Sequence, residues 1–353
     1  MIYREIGQFK SSYSSDQAIV QLKQDRFLWA LALAFALVAP HVLSQYWITA
    51  ILIPTLCLGL SALGLNIITG YAGQLSLGAS AFMSVGGFAT YNLCIRIPDL
   101  PFPISIVLAG LIAAAFGAVV GLPSLRIKGF YLVIATLLAH FLVTWFFDAY
   151  PWFKNYNLQG EVKPPALQLF GHAFTSHKEL YYIVIAFVIP LTLLAKNIVR
   201  SSFGRNMMAV RDMDVAASVI GINVPKTKLL AFAISAFYCG VAGALYVYAY
   251  MQLLDTKTYS IELAFAIVFM IIVGGMGTIL GSFVGAIVIF LFPIFMNTIL
   301  GSYGVDASQV QNISKMIFGV LVILLLVYEP NGIISLLSRL KEKLRIWPFP
   351  YRR

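Results

Sequence analysis

The chain alternates between apolar runs and short polar breaks. The runs recur at lengths close to the ~20 residues that a helix needs to cross the hydrocarbon of a bilayer. They cover 27–44, 47–69, 76–95, 104–122, 129–149, 180–197, 229–250, 262–280, 282–299 and 313–328, which predicts about ten transmembrane helices. The expected fold class is an all-α polytopic membrane protein. One polar interval is much longer and more basic than a turn requires. Between spans six and seven, Lys196 to Lys228 carries Lys196, Arg200, Arg205, Arg211, Lys226 and Lys228 against only Asp212 and Asp214. The pattern divides the chain into a polar segment 1–26, a membrane region 27–328 containing the loop 198–228, and a basic tail 329–353. In the first segment Ser15 or Asp16 can cap a short surface helix with Ala18, Ile19 and Leu22 on one face.

Composition agrees with this division. The 353 residues are 60% hydrophobic and 11% charged, whereas a soluble domain carries about 25% charged residues. A net charge of +10 would suit a nucleic-acid partner, but the charges sit at the ends of apolar runs, and no nucleic acid is expected. If the N-terminus is inside, the inner segments hold Arg4, Lys10, Lys23, Arg26, Arg126, Lys128, the central loop's six and the tail's six. The outer segments hold Arg96, Lys154, Lys163, Lys178, Lys257 and Lys315. That bias of about three to one favours cytoplasmic termini and an even number of spans. The first apolar run begins only near Phe27, too late for a cleaved leader, so it is expected to remain as the first span. Cys57, Cys94 and Cys239 lie inside apolar runs without metal-ligand spacing and read as packing residues.

Glycines punctuate two runs, G-Y-A-G-Q-L-S-L-G from Gly70 and G-G-M-G-T-I-L-G-S-F-V-G from Gly274. Both lack the lysine ending of a phosphate loop, so no ATP site and no catalytic residue are expected in this chain. Tight helix packing and direct lining of a pathway both account for the glycines. If a pathway runs here, Asn66, Thr69, Gln74 and Ser76 are the candidate polar wall. The outer stretch 150–179, rich in proline, aromatic and amide residues, suits an ordered lid or docking surface. Of the four histidines only His140 lies deep in a span, where it is either a hydrogen-bonded packing residue or a proton relay. Asp148, Glu262 and Glu329 fall at span ends. An ion-coupled secondary transporter usually keeps ionisable groups near the midplane. Their scarcity points instead to a conduit gated from outside the chain.

Within the central loop, Asp212 is placed to cap a helix starting at Met213, with Asp214 in its first turn and Gly221 at its end. Val215, Ala216, Val219 and Ile220 would share one face. Such a helix either lies on the membrane surface or enters a groove on a soluble partner.

Four blocks, 64–78, 121–137, 203–223 and 273–286, together resemble the larger permease subunit of branched-chain amino acid ABC importers, over about residues 45–330. The resemblance implies a permease in the type II importer style, with spans two to five and seven to ten forming an inverted repeat. It implies as partners a second permease subunit, two cytoplasmic ABC ATPases that hydrolyse the ATP, and an extracytoplasmic solute-binding protein. The chain itself would bind no cofactor and no metal, and would reside in a bacterial inner membrane. The family's alanine–alanine–glycine pattern falls on Ala216, Ala217 and Gly221. The coupling element would therefore be Arg205–Gly221, with Arg205, Arg211, Asp212 and Asp214. Val215 stands where members often carry glutamate, so no ion pair is assigned to it. The outer docking turn falls on Asn157, Gln159 and Gly160, but lacks the threonine and second glycine of the family's turn. Related permeases carry urea or short amides, which stand as alternative solutes beside branched-chain and other neutral amino acids.

Overall fold

The computed structural model describes residue 12 and residues 23–97, 100–127, 129–157, 160–169, 172–174, 176–302, 307–329 and 331–346. The surface helix expected near Ala18 and the candidate docking residue Gln159 lie outside them. In chain order the helices are α1 (Lys23–Val42), α2 (Trp47–Tyr71), α3 (Ala79–Arg96), α4 (Phe102–Gly121), α5 (Phe130–Ala149) and α6 (His177–Arg200). There follow α7 (Ser202–Asp212), α8 (Asp214–Val219), α9 (Val224–Met251), α10 (Ile261–Gly274), α11 (Ile279–Ser302), α12 (Ala307–Tyr328) and α13 (Ile333–Ile346). A hairpin of β1 (Leu167–Leu169) and β2 (His172–Phe174) pairs Gln168 with Ala173 between α5 and α6.

Each expected span coincides with a helix, yet the expectation of ten spans is not carried through by length and hydropathy. Among the described residues seven helices are long and apolar enough to cross a membrane: α2, α4, α5, α6, α9, α10 with its preceding turn, and α11. An eighth appears if the Asn312–Tyr328 and Ile333–Lys341 stretches, bent by 50°, count together. The helix α3 falls outside the set because it carries serines, threonine, tyrosine and asparagine. It is buried on all sides along most of its length, so protein rather than lipid surrounds it. Span eight was also expected to run to residue 280. It stops at Gly274 because Gly275 (φ 123°) and Gly277 (φ 77°) leave helical space, and α11 starts after them.

Two helices form the axis of the bundle. In α2 and α9 78% of the most apolar window is buried, against 28–39% for the other five, so these two pack against helices on every side. Along α9 lie α2, α3 and α4, while α2 also packs on α11 and α10. Close approach is set by small residues: a Cβ on Gly86 of α3 would strike the backbone of Gly240 in α9. Both axial helices end in a π turn, Ile67–Tyr71 and Tyr246–Met251, closed by Ala72 N–H to Ile67 O at 3.3 Å and Gln252 N–H to Val247 O at 2.8 Å. The apolar faces left outside, such as Leu138, Phe141, Leu142 and Trp145 on α5, are the surface for lipid or a neighbouring subunit. At the periphery, α1 is fastened to α6 by Tyr181 Oη to Ala36 O (3.0 Å) and Tyr182 Oη to Leu37 O (2.9 Å).

Candidate functional site

The central segment is more structured than a loop. Helix α6 runs on to Arg200 and α9 begins at Val224, leaving 201–223 between them, most of it helical. Ser201 caps α7, its hydroxyl accepting from Gly204 N at 3.3 Å. Gly204, Met207 and Val210 are buried and seat α7 against the bundle, while Arg205 is exposed and donates to Arg200 O at 3.1 Å.

Met213 alone separates α7 from α8, with φ −160° and ψ 99°. The expected cap at Asp212 is therefore corrected: Asp212 is the last residue of α7, Met213 occupies the cap position, and the Asp212 carboxylate accepts from Arg211 Nε at 2.9 Å. Asp214 does lie in the first turn of α8, and Lys228 of α9 approaches it at 3.8 Å. Ala217 faces the bundle and is buried, whereas Val215, Ala216, Val219 and Ile220 are exposed. Gly221 ends the helix with φ +89°. Ile222 N–H reaches Ala217 O at 3.0 Å across the turn, the bond that a left-handed residue at this position permits. A Cβ at Gly221 would meet nothing within 4 Å, so backbone geometry alone calls for glycine there.

The root of this segment is wired into α2. Arg211 Nη1 donates to Gly70 O at 3.0 Å. Next to it, Asn66 is fully buried and its amide is spent on the other half of the bundle. Nδ2 donates to Thr278 O (2.8 Å) and Ser282 Oγ (3.0 Å), and Oδ1 accepts from Gly277 N (2.8 Å). A side chain at Gly70 would collide with Asn66 Oδ1 and the backbone of Gly277. The α10–α11 turn in turn touches the start of α13, where Gly332 sits against Gly275. There Glu329, 4% exposed, accepts from Ser335 and from Arg339 Nη1 at 3.0 Å. Four chain segments thus meet at one end of the bundle through close backbone approach and side-chain hydrogen bonds.

The candidate polar wall is placed as follows. Thr69 donates to Gln74 O at 3.2 Å, and Ser76 Oγ accepts from Gly78 N at 3.1 Å. All four residues are buried, and Gln74 has neither amide atom hydrogen-bonded. His140 pairs with Ser80 Oγ at 2.9 Å inside the bundle.

At the opposite end, the described residues among 150–174 form an ordered cover. Lys154, 7% exposed, bonds Asp148 at 2.6 Å and approaches Asp255 at 3.9 Å, while Thr256 Oγ1 also donates to Asp148 at 2.9 Å. The Arg96 guanidinium lies 3.5 Å over the Trp152 ring, and Val162 bridges Leu254. In the candidate docking turn, exposed Asn157 donates to Glu161 O at 2.6 Å, and Gly160 takes φ +75°.

Sequence reasoning missed α7, whose signal was present in Ser201 followed by Phe203, Met207 and Val210 at helical spacing. It also missed α13 within the tail, and the partners of Asn66, which lie more than two hundred residues away.

Comparison with known proteins bears on what this arrangement serves. The model of a family described as a branched-chain amino acid transport system permease component matches residues 47–326. The LivM permease protein of the high-affinity branched-chain amino acid transport system of Salmonella typhimurium is 26% identical, over 89% of this chain and 76% of its own length. A probable branched-chain amino acid transport permease, LivM of Methanocaldococcus jannaschii, is 25% identical over 77% of this chain and 89% of its own. The nucleoside ABC transporter permease NupB of Lactococcus lactis is 22% identical over 58% of this chain and 60% of its own length. No solved structure matches.

Proposed function

The chain belongs to the branched-chain amino acid transport system permease family, a family of membrane transport components rather than enzymes, and from that premise we propose that it is one permease subunit of an ATP-driven importer. Its solutes are branched-chain or other hydrophobic, neutral amino acids. It forms half of a translocation pathway with a second permease and receives solute from an extracytoplasmic binding protein. Two cytoplasmic ATPases supply the work, so this chain holds no cofactor of its own. The membrane is the bacterial inner membrane, with both termini and residues 201–223 on the cytoplasmic side.

The observation that carries this reading is the pairing of exposure and anchorage in the central segment. Helix α8 offers Val215, Ala216, Val219 and Ile220 to a partner, while Arg211 at its root bonds the end of axial helix α2. A short helix presenting small apolar residues fits a groove on a soluble protein, and its root touches the helix that must move. The packing also favours the inverted repeat: α2 rests on α11 as α9 rests on α4, and both axial helices finish in π turns at opposite ends. Irregular turns inside a bundle are characteristic of transport proteins with alternating access.

Reconstituted with its partners, the importer should take up leucine only when ATP and the binding protein are both supplied. Urea and inosine, competing in the binding-protein assay, should be at least about a hundredfold weaker. Ala216→Glu should release the ATPases while the chain stays inserted, because residue 216 faces solvent. If the ATPases co-purify undiminished with that variant, α8 is not the coupling element. Leucine uptake by the chain alone on an ion gradient would overturn the importer reading.

A further inference from the structure

Between the end of α2, the start of α5, the α7–α8 junction and α9 lies a cavity of about 330 Å³, within the ~300–1,000 Å³ range of small-molecule sites. Its walls combine three kinds of chemistry. Arg211 and Lys228 contribute positive charge, Asp212 and Asp214 negative charge. They are arranged as two ion pairs, Arg211–Asp212 at 2.9 Å and Lys228–Asp214 at 3.8 Å, between which a molecule with both charges can insert. Leu75, Ile127 and Leu132 supply an apolar side. Gln74, 6% exposed, also lines it, and neither end of its amide has a hydrogen-bond partner. Buried amides are normally satisfied, and an unsatisfied one on a residue that lines a polar cavity marks a place where a ligand, with a small turn of that side chain, can complete the set.

The charges select the ligand. A simple anion would face both aspartates, and a simple cation would face both the arginine and the lysine. A molecule carrying one charge of each sign, with an apolar remainder, meets every wall favourably. We propose that this cavity is a binding site for a zwitterionic α-amino acid with an apolar side chain, reached from the cytoplasmic side, through which the imported product slows its own uptake. The inference rests on the importer reading above and names a second, regulatory site for the same solute class.

Location gives the site its effect. The cavity spans Met213, the single non-helical residue between α7 and α8. Its floor belongs to the bundle, through Gln74, Leu132 and Lys228, and its lid to the coupling segment, through Asp212 and Asp214. An occupant touching floor and lid together fixes α8 against the bundle. An ATPase stroke that must displace α8 then works against ligand binding, and by linkage the ligand opposes the stroke.

The test uses the complete importer in lipid nanodiscs, where both faces are accessible, with binding protein saturated by micromolar leucine. Raising leucine into the millimolar range should lower ATP hydrolysis about fivefold or more. Gln74→Glu keeps the side-chain shape and Lys228→Met removes one charge. Each should shift the midpoint of that inhibition about tenfold or more, read as a ratio within the same variant. Isocaproate and isoamylamine, each lacking one of leucine's charges, should inhibit about tenfold less effectively. Equilibrium dialysis with radiolabelled leucine, without binding protein or ATP, should find one added site per copy of this chain. The proposal is overturned if hydrolysis stays flat, if both variants are inhibited like the parent, or if dialysis finds no site. ATP-driven leucine uptake, measured in parallel in proteoliposomes, separates the failures: uptake intact with flat hydrolysis sinks only the regulatory site, and uptake absent sinks the importer reading.

Discussion

The two axial helices end alike and are finished differently. Both α2 and α9 close on a π turn, and both are enclosed to the same degree. The end of α2 is built from backbone and one amide. Gly70 lies against Gly277, Asn66 spans to Thr278 and Ser282, and Arg211 holds the Gly70 carbonyl. The end of α9 is built from large rings, with Tyr246, Tyr248 and Tyr250 in its π turn and Tyr259 Oη donating to Gly243 O at 2.9 Å. Backbone in contact with backbone has little room to yield, whereas aromatic side chains can re-pack by changing rotamer. The difference teaches that the end nearest residues 201–223 is held rigidly by close backbone approach, and the end beneath the described residues of 150–174 by side chains that have more than one way to pack.

The largest effect should come from breaking the stiff end. Gly70→Val places its Cβ against Asn66 Oδ1 and Gly277 N, which should cost about 3 kcal/mol or more. Thermal unfolding in detergent should show a large loss, and a parent-like midpoint would mean that α2 does not meet the α10–α11 turn as described. Asn66→Leu comes next. It removes three hydrogen bonds and strands the Gly277 N–H, for about 2–3 kcal/mol, without the steric clash. At the adaptable end, Lys154→Met leaves Asp148 and Asp255 without their cation. Asp148 is half exposed, so water compensates part of the loss, and about 1–2 kcal/mol is expected. Its clearest sign should be faster proteolysis within 155–166, and unchanged cleavage would detach that pair from the cover's order. Smallest is Gly221→Ala, where only the positive φ resists and no neighbour is touched. The cost is about 1 kcal/mol, visible as faster hydrogen exchange at the Ile222 amide with the global midpoint unmoved.

Much of the helical layout was legible because lipid imposes a length. The runs at 104–122 and 129–149 lie within two residues of Phe102–Gly121 and Phe130–Ala149. The run at 76–95 was legible as a helix but not as one shielded from lipid. An all-round mixture of serine, glycine and aromatic residues reads the same whether protein or bilayer surrounds it. In the central segment, Gly221 declared the end of α8 through the rarity of its backbone conformation. Asp212 misled, because a carboxylate before a short helix also suits a neighbouring arginine, and Arg211 stood closer. Asn66 was recognisable as an unusual polar residue in a greasy run. Nothing local could say that its amide would bond Gly277, Thr278 and Ser282.

By itself, then, the sequence determined that this is a multi-pass helical membrane protein with a structured basic segment near its middle, and where the short second helix of that segment ends. Those properties depend on hydropathy length, glycine conformation and charge, which neighbouring residues decide among themselves. Only the tertiary structure decided that α2 and α9 form the axis, that Arg211 ties the central segment to Gly70, and that Gln74 lines a charged cavity with Lys228. Each of these joins residues far apart in the chain. Their energetics come from which surfaces are brought together in the bundle, and no periodicity encodes that.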